Sequence, residues 1–198
     1  MTWDDFITYA DWYGILLGDV MLTLSAAGAV VAWTKRDKLL ALFRKNRFPE
    51  VGTMVDDNTR FDAVIFTVSR PEVPAWVMQR FKTRMVGLVY TDYSEAAADE
   101  IEDEADRKGI KVLRQKVENS DDPQDCKIAV NLLIKKASEL GALSQAVDVT
   151  GGKVPMSLGA FMAAEENRMP TLYVSARYED NKAVPASIKP CYMSEPKG

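Results

Sequence analysis

Past residue 60 the chain alternates between apolar runs of strand length and amphipathic runs of helix length. FDAVIFTVS (residues 61–69), MVGLVYT (85–91), KVLRQKV (111–117), QAVDVT (145–150) and TLYVSARY (171–178) predict five strands. Between them, residues 75–83 predict a short helix. SEAAADEIEDEADRKG (94–109) predicts a second helix, with Ser94 as N-cap, acidic residues in its first turn and a basic last turn stopped by Gly109. Residues 123–140, entered through Asp121 and Asp122 and stopped by Gly141, predict a long amphipathic third, and residues 155–167 a fourth. Residues 188–193 suggest one more short strand. Strand and helix taking turns imply a mainly parallel sheet covered on both faces, a Rossmann-like α/β domain over residues 61–198. Sheets of that kind bind ligands at the carboxyl ends of their strands.

The start of the chain follows a different pattern. Residues 14–33, GILLGDVMLTLSAAGAVVAW, carry one charge, Asp19. As a helix this run is about 30 Å long, the hydrocarbon thickness of a bilayer. Trp3, Phe6, Tyr9, Trp12 and Tyr13 crowd one end and Trp33 closes the other, in the manner of interfacial aromatic belts. Lys35, Arg36, Lys38, Arg44, Lys45 and Arg47 follow at once, whereas the other flank is acidic. The positive-inside rule then predicts a single-pass inner-membrane protein with its amino terminus outside and its body in the cytoplasm. Three segments result: residues 1–34 as outer terminus and transmembrane helix, 35–60 as basic juxtamembrane helix and linker, and 61–198 as the body.

Two competing readings of the apolar run are weaker. A cleavable signal peptide fails because the basic residues come after the run and Ala27-Gly28-Ala29 lies inside it. A buried core helix would tolerate one Asp but leaves the basic collar unexplained. A charge is costly in hydrocarbon unless it faces water, protein or headgroups. On a helix Asp19 shares a face with Thr23 and Ala26, and Gly14 with Gly18 forms a small-xxx-small pair that lets helices approach. The expectation is self-association with Asp19, Thr23 and Ala26 along a membrane path; the alternative is a lone anchor whose Asp19 snorkels to the outer interface.

Charge and composition narrow the function classes. The net charge of -4 arises in residues 1–33, which hold four Asp and no Lys or Arg, leaving 25 basic against 25 acidic residues in the remainder. A neutral body gives no general footprint for duplex nucleic acid, although a local basic pocket can hold a small anion. With no His and two widely separated cysteines, zinc binding and His-based catalysis drop out, and no metal or cofactor is expected.

The candidate chemistry sits in DVTGGKVPMSLGA (residues 148–160), where the fourth strand turns into a helix. Gly151 and Gly152 let backbone approach a ligand closely, and the first turn of the helix, with Pro155 at its start, presents free N–H groups to an anion. The spacing is neither that of a P-loop nor that of a dinucleotide fingerprint. A merely tight turn is the plainer alternative.

This stretch resembles the D-x-T-G-G-T-K-x-M motif of CARF domains, the CRISPR-associated Rossmann-fold sensors of cyclic oligoadenylate, and TVSRPE (67–72) occupies the place of that family's other ligand loop. A membrane helix ahead of such a body resembles the CARF-associated membrane proteins of type III CRISPR systems. The resemblance implies that Thr150, Gly151, Gly152, Lys153 and Met156 line a pocket with Ser69 and Arg70 opposite. It also implies a cyclic oligoadenylate, most simply cyclic tetra-adenylate, as activating ligand. One departure stands out: Lys153 comes one place early, and Val154 stands where the family has Lys. Ligand cleavage is therefore not expected, and the body reads as a sensor, not an enzyme. A ring with a two-fold axis suits a C2 dimer, or a tetramer or larger assembly built from it. The expected role is a membrane effector of antiviral defence that permeabilises or depolarises the bilayer as an ion channel would. The alternatives are a membrane-tethered ring nuclease and a nucleotide-binding scaffold.

Overall fold

The computed structural model describes residues 12, 13, 17, 18, 20–22, 52–180 and 182–194. The chain divides into two compact units, Met1–Arg47 and Phe48–Gly198. In the first, the described residues are helical, and Trp12, Tyr13, Leu17, Val20, Met21 and Leu22 are all exposed. Asp19, Thr23 and Ala26 lie outside the described residues, as does most of the apolar run at 14–33. Among the described residues no helix is long and apolar enough to cross a membrane.

The second unit is built on strands β1 (Ala63–Thr67), β2 (Met85–Tyr90), β3 (Lys111–Lys116), β4 (Gln145–Asp148) and β5 (Thr171–Ser175), with a short hairpin β6 (Tyr178–Glu179) and β7 (Lys182–Ala183) before the last strand β8 (Lys189–Ser194). The main sheet has the order β3-β2-β1-β4-β5-β8. Pairing is parallel up to β5 and antiparallel between β5 and β8. Helices α1 (Glu72–Phe81), α2 (Glu95–Arg107), α3 (Pro123–Glu139) and α4 (Val154–Glu166) make the crossovers.

Every residue of β1 is buried, as a central strand covered on both faces requires. Its period of two divides the core. Val64 and Phe66 pack with Val77 and Phe81 of α1 and Ile101 of α2. Ile65 faces the other way, onto Leu133 of α3 and Met156 and Ala160 of α4. The alternation read from sequence thus corresponds to a mainly parallel α/β sheet with helices on both faces.

Three local features depart from the sequence reading. Ser94 does not cap α2 with its side chain; its Oγ turns back to accept the Thr91 N–H at 3.0 Å, and a 3-10 turn (Asp92–Ser94) precedes the helix. The fifth strand stops at Ser175 instead of reaching Tyr178, because the Arg177 N–H is taken by Ser187 Oγ at 2.8 Å and the Arg177 carbonyl by the Val184 N–H at 2.8 Å. The end of the expected linker is part of the body. Gly52 and Val55 donate backbone hydrogen bonds to Tyr192 and Pro190 of β8, Val55 is buried, and Arg80 of α1 donates to the Asp57 carboxylate at 2.6 Å and carbonyl at 2.9 Å.

Candidate functional site at the switch point

The strand order reverses direction between β1 and β4, which is where open parallel sheets leave a crevice at their carboxyl ends. Two turns meet there, β1 to α1 and β4 to α4. Thr67, buried at the end of β1, donates its Oγ1 hydrogen to the Gly151 carbonyl at 2.6 Å, and Ser157 of α4 donates to the same oxygen at 3.1 Å. The contact explains one glycine: a Cβ on Gly151 would stand 2.1 Å from the Thr67 carbonyl oxygen and 3.1 Å from the Ser69 nitrogen. Gly152 takes φ +78°, the left-handed region that favours glycine. The glycine pair therefore brings one turn against the other. The sequence reading expects both glycines to clear space for a ligand; the geometry shows a close turn-to-turn contact at Gly151 and a left-handed turn at Gly152.

Asp148 and Thr150 stiffen the second turn. The Asp148 carboxylate accepts the Thr150 N–H at 2.9 Å and the Thr150 hydroxyl at 3.1 Å, while Thr150 Oγ1 accepts the Val174 N–H of β5 at 2.7 Å. Thr150 is thus a rivet between β4 and β5. Burial pushes the Asp148 carboxyl up to about 7, against the lowering effect of the two Thr150 hydrogen bonds. Near neutral pH a large part of it is uncharged, so it repels an anion above it weakly.

Between the turns lies a cavity of about 40 Å³ lined by Thr67, Ser69, Arg70, Val73, Pro74, Asp148, Thr150, Gly151 and Tyr178. The Arg70 guanidinium lies over the Tyr178 ring, 5.0 Å from its centroid. A cation and the four hydroxyl-bearing side chains of Thr67, Ser69, Thr150 and Tyr178 form an environment suited to phosphate oxygens. Among the described residues no group of His, Cys, Asp and Glu side chains is placed to hold a metal ion.

Of the residues expected from sequence, Ser69, Arg70, Thr150 and Gly151 come together on this cavity, with Gly152 beside them in the same turn. Lys153 and Met156 do not line it. Lys153 leads into α4 from the flank and pairs its Nζ with Asp121 Oδ1 at 3.0 Å. Met156 is buried beneath the turn in the α3–α4 core, where its carbonyl accepts from Cys126 Sγ at 3.0 Å. Sequence reasoning missed Thr67, Asp148 and Tyr178 as parts of the site. Asp148 stood in the quoted motif and could have been found; Tyr178 comes from a hairpin with no spacing signal toward the turn.

No family model matches the chain, and no curated protein matches it. Solved structures do. A type III CRISPR defence DNA nuclease activated by cyclic oligoadenylate matches with a TM-score of 0.50 at 18% identity, over 67% of this chain and 20% of that one. Can2 from Sulfobacillus thermosulfidooxidans, in complex with cyclic tetra-adenylate, gives a TM-score of 0.48 at 13% identity over 62% and 36% of the two chains. Csm6 from Enterococcus italicus, bound to cyclic hexa-2'-fluoro-hexa-dAMP, gives 0.46 at 14% identity over 64% and 36%. This chain spans between a fifth and about a third of the length of these structures. The likeness to the nuclease is one of fold.

Proposed function

We propose that the second unit is a sensor of cyclic oligoadenylate, most simply cyclic tetra-adenylate, acting in antiviral CRISPR defence. The observation that carries this reading is the pair of turns locked together at the switch point, with Ser69 and Arg70 on one side and Thr150 and Gly151 on the other. The neighbours with related sheets include proteins bound to, or activated by, such rings.

The cavity supports a shared site. At about 40 Å³ it is far below the roughly 300–1,000 Å³ of an ordinary small-molecule pocket. One copy supplies a half-site. Val154, Leu158 and Met162 form an exposed apolar row on α4 that starts at the ligand turn, and Ile128 and Leu132 expose a second row on α3, the helix packed beside it. A two-fold axis along these helices sets two turns side by side under one ring. Leu158→Asp, at a position already half exposed, is expected to keep the fold and to convert a dimer into a monomer that binds the ring at least ten-fold more weakly. Light scattering that shows an unchanged dimer would remove α4 from the interface.

The membrane half of the proposal rests on the apolar run at 14–33 with its basic collar, and on the exposure of its described apolar side chains. In this reading the chain is a single-pass inner-membrane effector, and ring binding biases the assembly of membrane helices around Asp19, Thr23 and Ala26. A ligand shifts such an equilibrium only through its differential affinity for the two states.

The test is dye release from liposomes containing the full chain, with and without cyclic tetra-adenylate. Ligand-dependent release with the ring intact supports the effector. Loss of ring without release supports a membrane-tethered ring nuclease instead. Arg70→Ala is expected to weaken ring binding by about 1.5–3 kcal/mol, the range for a hydrogen bond to a charged group. Lys153→Ala is expected to cost less, since its ammonium is engaged by Asp121. Calorimetry giving the reverse order would move the phosphate contact to Lys153.

A further inference from the structure

Tyr178 stands on the wall of the cavity without being packed into the core. It opens the β6–β7 hairpin, which leaves β5 after Ser175 and lies against α1 before the 3-10 turn Pro185–Ser187 leads into β8. The hairpin base is pinned by the Val184 and Arg177 hydrogen bonds already described and by Ser187 Oγ, which donates to the Val184 carbonyl at 2.7 Å. Asp180 turns the hairpin at φ +48°. Pinning the base delivers the Tyr178 ring to the wall of the same cavity as Arg70 and Thr150, yet leaves the residue 42% exposed. A core aromatic would be covered; this one keeps a large exposed share, with the Arg70 guanidinium over its ring.

We propose that Tyr178 is the base-recognition residue of the site, stacking against a purine ring of the ligand while Arg70 and Ser69 hold its phosphates. This rests on the cyclic oligoadenylate reading and adds the discrimination that reading lacks. Phosphate contacts alone are blind to the base. An aromatic face is the commonest stacking platform for an unpaired base, and a tyrosine on a pinned hairpin loses little rotamer freedom on binding. The guanidinium now on the ring belongs to the same account. In the free protein Arg70 covers the face that the base takes, and ligand entry exchanges the two, releasing the guanidinium toward a phosphate.

The experiment measures the affinity of the full chain for cyclic tetra-adenylate in the wild type and in the Tyr178→Ala, Tyr178→Leu and Tyr178→Phe variants, with a thermal melt of each. The expected result is a loss of about 10–100-fold for Ala and Leu. The Phe variant should stay within about three-fold of wild type, and all four melts should be alike. Ala binding as tightly as wild type, or Phe as poorly as Ala, would overturn the proposal. So would Leu matching Phe, which would reduce the role to apolar bulk. A wild type that ignores the ring overturns the cyclic oligoadenylate reading itself, and the tyrosine assignment with it; binding by wild type and Ala alike overturns only the latter.

Discussion

Gly151→Ala is expected to abolish ring binding and to destabilise the second unit by about 1–3 kcal/mol, the ordinary penalty for overpacking. The added Cβ would stand 2.1 Å from the Thr67 carbonyl oxygen, and the neighbouring Ser69 nitrogen and Oγ are each only 3.1 Å away. Backbone on both sides cannot swing aside as a side-chain tip would. The two turns must part, which breaks the Thr67 Oγ1 hydrogen bond to Gly151 and separates Ser69 and Arg70 from Thr150. A matched control is available in Gly159→Ala, where the new Cβ would meet the Pro123 carbonyl oxygen at 2.1 Å in the α3–α4 packing. Both variants should melt early, but at a temperature where each is folded only Gly159→Ala should bind the ring. Urea denaturation and ligand titration of the pair decide it: equal binding by both would show that turn-to-turn contact is not what builds the site.

The sheet was legible because a fully covered parallel strand leaves a strong mark. VIF and LVY runs separated by helical periods admit few arrangements, and β1 and all of β2 but its last residue, Tyr90, are buried where those runs fall. Ends were harder to read, since they depend on partners remote in sequence. TLYVSARY continues the apolar pattern to Tyr178, but Ser187 captures the Arg177 N–H and ends β5 early. Residues 52–55 look like linker because Gly52 and the polar DDNTR run at 56–60 read as loop, and their place at the β8 edge is set by backbone hydrogen bonds that carry no side-chain signature.

The candidate site divides in the same way. Ser69, Arg70, Thr150 and Gly151 could be read because each lies within a few residues of a strand end. Motif position assigns Lys153 to the cavity, whereas Asp121, 32 residues earlier in a separate loop, draws its ammonium to the flank. Met156 follows the helical period of α4 into the core. Tyr178 depends on a hairpin fold-back, which local patterning does not encode.

The buried end of β4 carries the remaining large prediction. Burial raises the Asp148 carboxyl from the ordinary aspartate value of 3.8 to about 7, so the folded chain keeps a proton that the unfolded chain has lost between those limits. Stability is lost wherever the folded state binds more protons as pH rises. The contribution of Asp148 is therefore fully present below pH 3.8, falls by about 1.4 kcal/mol per pH unit through the window, and is gone above about 7. The whole window amounts to roughly 4 kcal/mol. Asp62 works in the opposite sense: the Leu143 and Ser144 N–H groups and Arg84 hold its carboxyl below the usual value, so its contribution is lost as pH falls. A wild-type pH profile alone mixes the two. Asp148→Asn separates them, because the amide carbonyl can still accept the Thr150 N–H and its NH2 can donate to Thr150 Oγ1, which also takes the Val174 N–H. The stability of the Asn variant minus that of wild type, from urea titrations at several pH values, is expected to rise steadily from pH 4 to 7 and level off beyond. A difference independent of pH would mean that Asp148 ionises at its ordinary value in the fold, and that the floor of the cavity faces an anionic ligand with a full negative charge.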